Sequence, residues 1–168
     1  MPAVVSDSTP LIYLSRLGFL PWLKEFFGQV LVPSAVWAEV GMDGAGLPEG
    51  KAVQAARDEG WMVVATPTLA ATEFDLNPDD LGDGELEAIL LAKERDAILI
   101  IDERLGRVEA RRLDLQITGT VGLILRAKRQ GLIESAKPVL DRLLAETTFY
   151  MSNELYAGAL EEAGESGS

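Results

Sequence analysis

The sequence predicts an α/β fold: a three-layer α/β/α sandwich around a mainly parallel central sheet. Three observations carry this. Short apolar runs of strand length recur at Ala3–Ser6, Val30–Val32, Trp61–Ala65, Ala97–Ile101 and Leu115–Thr118, and most are separated by segments whose apolar residues have helical spacing. Runs such as AILII are apolar at every position, as a strand must be when helices cover both faces of a parallel sheet. The chain has 168 residues and is 48% hydrophobic, enough for one domain with one core.

Taken in order, the first strand stops at Asp7. Thr9 caps the helix that follows, with Pro10 in its first turn. FLPWLKEFF forms a short amphipathic helix whose stripe of Trp22, Phe26 and Phe27 reads as an interface. After the second strand, Ser34 begins the helix that holds AVWAEV. Residues 41–50 and 66–82 read as loops from their glycine, proline and aspartate content. Glu85 opens the helix GELEAILLAKERD, with Asp83 as its cap. Beyond Ile133 the pattern gives two amphipathic helices over 135–146 and 151–161. The expected organisation is a single domain over 1–162 and a flexible tail over 163–168, with no internal repeat.

Composition removes whole classes of chemistry. There is no cysteine, which excludes disulfides and thiolate metal sites, and no histidine, which removes the commonest general base and metal ligand. Any metal has to be held by oxygen, which points to magnesium or manganese. The net charge of −12 disfavours indiscriminate contact with nucleic acid and still permits a local basic patch. No apolar run approaches the ~18 residues needed to cross a bilayer. The first residues also lack a basic region followed by a hydrophobic segment and cleavage site. The expectation is a cytoplasmic protein with no membrane contact.

Four carboxylates stand in places that ask for a reason. Asp7 ends the first strand and Asp102 directly follows AILII, so both lie at the carboxyl edge of a parallel sheet, where ligands collect. Helical spacing puts Glu39 on the side of Ala35 and Val36, and Glu85 on the side of Ala88, Ile89 and Ala92. Each has an ordinary alternative: a cap for Asp7, a surface acid for Glu39, a favourable dipole contact for Glu85. Asp83 competes with Glu85, and Glu103 with Asp102. The joint pattern is harder to set aside. Carboxylates drawn together repel unless a cation intervenes, and a divalent ion converts that repulsion into binding. Activation of water and stabilisation of the phosphorane formed when a phosphodiester is cut then follow without histidine.

The order Asp7-Ser8-Thr9, Glu39, Glu85, Asp102 resembles the acidic constellation of PIN-domain ribonucleases. The runs VSDSTPLIYLSRLG, LVPSAVWAEV, GDGELEAILLAKE and ILIIDERLGRVEARRLDLQITGTVGLILRAKRQGLI resemble the DUF3368 branch of PIN-like proteins, over roughly residues 3 to 160. These are similar to the toxin halves of toxin–antitoxin pairs. The resemblance implies a parallel-sheet α/β/α fold, dependence on Mg2+ or Mn2+, endoribonuclease activity, a homodimer, and inhibition by a small antitoxin protein. It implies Asp7, Glu39, Glu85 and Asp102 as metal-site acids, Thr9 as a hydroxyl or amide position beside the first of them, and Thr120 at the site's edge. The third acid is a glutamate where many PIN nucleases carry aspartate.

Residues 104–129 hold seven of the fifteen basic residues against two acids, Glu109 and Asp114. Arg104, Arg107 and Arg111 fall at helical spacing just after Asp102, a ridge able to hold RNA phosphates beside a metal. The alternatives are a solvated face or a surface for an acidic partner. Few aromatics accompany the arginines, so base stacking is not indicated. The leading reading is a metal-dependent endoribonuclease, and its rival is a PIN-like binding module that has lost metal. A phosphotransfer role is disfavoured, because the second aspartate it would want two residues after Asp7 is Thr9.

Overall fold

The computed structural model describes residues 2–166, and its contacts divide into two compact units, residues 1–118 and 119–168. The first holds a five-stranded sheet: β1 (Val4–Ser6), β2 (Val30–Pro33), β3 (Met62–Ala65), β4 (Ile98–Ile100) and β5 (Ile117–Thr118). All pairs are parallel and the spatial order is β3-β2-β1-β4-β5. Each strand falls within or beside a predicted apolar run. The central strand β1 is buried along its whole length, as continuous apolar character requires in a sheet covered on both sides.

Several of the sequence's local expectations need correction. Helix α1 spans Ser8–Leu17, so Asp7, not Thr9, stands at its N-cap, and the Asp7 side chain makes no capping bond. Helix α2 is Pro21–Phe27. Its aromatic stripe is buried within the chain, with Phe19 stacked on Trp22 at 4.1 Å and Phe26 edge-on to Phe27. The stripe is core and not an interface. The predicted loop 41–50 is helical at both ends. After α3 (Ser34–Val36) the chain continues as a π-helix over Trp37–Asp43, and α4 starts at Pro48 and runs to Asp58. Glycine and proline read as breakers there, yet proline at the first helical position is a start signal. The 66–82 loop is interrupted only by a 3-10 turn at Ala71–Phe74.

Helix α5 spans Asp83–Arg95 with Gly82, not Asp83, at its N-cap, and α6 spans Arg104–Arg112. With strand order β3-β2-β1-β4-β5, the right-handed crossovers that parallel strands almost always adopt put α1 and α4 on one face and α5 and α6 on the other, and α1 does pack on α4 and α5 on α6. The α5 side of the core packs Ala88, Ile89, Leu91 and Ala92 against Val5, Leu99 and Ile101. At the first turn of α3, Glu87 of α5 accepts hydrogen bonds from the Ser34 hydroxyl at 2.7 Å and the Ala35 amide at 3.0 Å. On the other face, the buried Glu49 of α4 is paired with Arg16 of α1 at 3.2 Å.

The second unit contains α7 (Thr120–Arg129), α8 (Lys137–Glu146) and α9 (Asn153–Glu162), the last two close to the predicted spans. The Ser152 hydroxyl caps α9 by accepting from the Leu155 amide. Glu165, within the expected tail, accepts from the amides of Ala136 and Lys137 and from Lys128 Nζ. Gly167 and Ser168, the end of that tail, lie outside the described residues. Among the described residues no helix is long and apolar enough to cross a membrane.

Glu87 fixes the orientation of α3, so Glu87→Ala should lower unfolding free energy by about 1–3 kcal/mol through two lost charge-assisted bonds. Urea denaturation followed by circular dichroism would measure it, with the m-value unchanged.

Candidate active site

In the order β3-β2-β1-β4-β5 the winding direction reverses between β1 and β4. Outside the carboxyl ends of such neighbouring strands lies the crevice in which open α/β sheets bind ligands. Asp7 is the first residue past β1, and its amide donates to the Ile100 carbonyl at the end of β4, at 2.9 Å. Asp102 follows β4 two residues later. The two strand-end acids are therefore brought together by strand pairing alone.

The cleft at this edge has a volume of about 490 Å³. Of the residues named by the sequence, Asp7, Thr9, Glu39, Asp83, Glu85 and Glu103 line it. Asp102 is partly buried and is not among the lining residues, but its charge acts on Asp7. Thr120 opens α7 of the second unit and is buried.

Glu39 reaches the cleft from the π-helical turn, and the buried Ser8 hydroxyl donates to its Oε2 at 2.6 Å. Glu85, third residue of α5, accepts from the Gly82 amide through Oε1 at 3.3 Å. Its Oε2 is buried without a hydrogen-bond partner. Gly84, in the first turn of α5, lies beside Val36 and Asp7. A Cβ there would stand 3.2 Å from Val36 Cγ2 and 3.5 Å from Asp7 Oδ1.

Two cleft residues escape sequence reasoning. Ser8 looks like an ordinary helix-start hydroxyl, and nothing local announces its bond to a residue 31 positions away. Asp43 lies four residues after Glu39 and shares the π-helical turn, a periodicity that a loop assignment hides.

The arginine ridge is not uniform. Arg107 is half-buried and donates from Nη1 to the Ile101 carbonyl at 2.6 Å. Burial and the neighbouring Arg111 push its pKa down, partly countered by Asp102. Arg104 and Arg111 are exposed. Arg112 is held by Glu109 and the Phe74 carbonyl.

Burial is the largest influence on Asp7, whose pKa is pushed up to about 7. The Ser8 amide, donating to it, opposes this, while the charges of Glu85, Glu39 and Asp102 add to it. Glu85 is also raised, first by burial and then by Glu103 and Glu39, against the Gly82 amide. A partnerless carboxylate oxygen and mutually repelling acids are the donor chemistry of a hard divalent cation. Among the described residues, however, no three acids are drawn tightly enough together to hold an ion as they stand.

The DUF3368 sequence profile, described as a PIN domain, matches residues 3–165, almost the whole chain. The chain belongs to that family of PIN domains. No curated protein matches it. PIN domains are as a class nucleases.

An aspartate whose folded pKa, about 7, stands above its ordinary value of 3.8 binds its proton more tightly in the native state. Its contribution to stability is complete below about pH 4 and lost as pH rises through 7. In metal-free buffer at pH 8, Asp7→Asn should therefore be more stable than wild type by on the order of 2–4 kcal/mol. Thermal denaturation across pH should show the two proteins converging near pH 4.

Proposed function

We propose that this PIN domain is a divalent-metal-dependent endoribonuclease that hydrolyses RNA phosphodiester bonds. It serves as the toxin of a toxin–antitoxin pair, with Asp7, Glu39, Glu85 and Asp102 as the metal-site acids. The observation that carries the reading is Asp7: a carboxylate buried at the switch point of a parallel sheet, its ionisation opposed by three other acids. An isolated cap residue would not be surrounded in this way. Held by these acids, Mg2+ or Mn2+ would supply the positive charge that lowers the pKa of a water and offsets the negative charge building on the phosphoryl and leaving-group oxygens.

The chain's own residues prepare for that chemistry. Ser8 holds Glu39 in one orientation by its short hydrogen bond. Gly82 fixes one oxygen of Glu85 and leaves the other without a partner. Thr9, Asp83 and Glu103 line the approach. Arg104, Arg107 and Arg111 offer charge to the phosphates of RNA, with Arg107 also holding the Ile101 carbonyl through Nη1. The homodimer and the small antitoxin rest on the family resemblance.

A second reading, a binding module with weak or no catalysis, is favoured by one observation: among the described residues no three acids stand close enough to hold an ion. Calorimetric titration with Mn2+ separates the two, since no binding at millimolar metal supports the module.

Wild type should cleave RNA in Mg2+ or Mn2+ and stop when the metal is chelated. Asp7→Asn and Asp102→Asn should each lower that rate by more than the roughly 10–100-fold typical of changes outside the ligand set. Circular dichroism should show both variants folded, and equal activity in all three proteins would remove the assignment.

A further inference from the structure

We propose that Gly106, in α6, is a positioning residue for Glu85: its missing side chain is the space that the Glu85 carboxylate occupies. This rests on the reading of Glu85 as a metal-site acid and adds a residue outside the acidic set.

The geometry is specific. Gly106 is the third residue of α6 and is buried. A Cβ built on it would fall 2.5 Å from Ile101 Cδ1 and 2.9 Å from Glu85 Oε2. Carbon–oxygen and carbon–carbon contacts that short do not persist in packed interiors, so something has to move. The Ile101 side chain is wholly buried in the core between the sheet and α5, which leaves it little freedom. The Glu85 carboxylate is the end of a flexible side chain held at one oxygen by a single 3.3 Å bond to the Gly82 amide. It would yield first.

Helical propensity does not account for this glycine. In the interior of a helix glycine is less favourable than alanine by roughly 0.5–1 kcal/mol, and the helical stretch around Gly106 needs no left-handed backbone. Space accounts for it. The same Glu85 oxygen that Gly106 accommodates is the buried one with no hydrogen-bond partner. Gly106 therefore keeps open the position in which that oxygen stays available, close to the carboxyl end of β4.

Gly106→Ala should lower Mn2+ affinity by at least tenfold in a calorimetric titration while leaving the far-ultraviolet circular dichroism of the metal-free protein unchanged. A double-mutant cycle with Glu85→Ala isolates the contact, because the clash with Ile101 is common to both backgrounds and cancels. In metal-free thermal denaturation the alanine at 106 should be better tolerated once the Glu85 side chain is gone. In the Glu85→Ala background it should also cause no further loss of Mn2+ affinity. An additive cycle, or unchanged affinity in Gly106→Ala, overturns the role assigned to Gly106 and leaves the metal reading standing. A non-additive cycle in a wild-type protein that binds no Mn2+ at millimolar concentration overturns the metal reading, and with it any role of Gly106 toward an ion.

Discussion

The charge of Asp7 governs the arrangement around it. Placing a carboxylate at the end of the central strand of a parallel sheet removes it from water, because helices cover both faces and the neighbouring strand ends beside it. Such a charge is costly unless hydrogen bonds or a cation stabilise it. The chain provides the Ser8 amide, and then surrounds the site with further acids that make ionisation harder. A fold selected for stability alone would gain from a neutral residue there. The penalty is intelligible when the position serves a ligand of opposite charge.

Much of the remaining structure keeps those acids in place. Glu87 ties α5 to the start of α3, which leads into the π-helical turn bearing Glu39 and Asp43. A π-helical segment is less favourable than an α-helix and tends to occur where side chains must be redirected. Here it sets two acids on one face. Arg107 does for β4 what Glu87 does for α3, closing the strand end with a bond to the Ile101 carbonyl. The core on the α5 side, built from Ile89, Leu91, Leu99 and Ile101, gives these contacts a rigid base.

The strands and most helices are legible in the sequence because their signals are local: continuous apolar runs, 3.6-residue spacing, and proline at helix starts. The errors are local as well. Gly41, Pro48 and Gly50 read as loop residues because their composition resembles a turn, whereas Pro48 begins a helix. The aromatic stripe of α2 reads as an interface because a sequence cannot show what already covers a ring. Asp83 and Gly82 exchange roles at a helix start, where boundaries are hardest to place.

By itself the sequence determined the fold class, the parallel order of strand and helix, and the exclusion of histidine and thiolate chemistry, since composition and periodicity do not depend on long-range contacts. It also singled out the acids as unusual. Only the tertiary structure decided their company. The pairing of β1 with β4 brings Asp7 to the end of Ile100, the Ser8 hydroxyl finds Glu39, and one oxygen of Glu85 is buried against Gly106. Those relations join residues far apart in the chain, and they are fixed by strand order and helix packing, which no local pattern encodes.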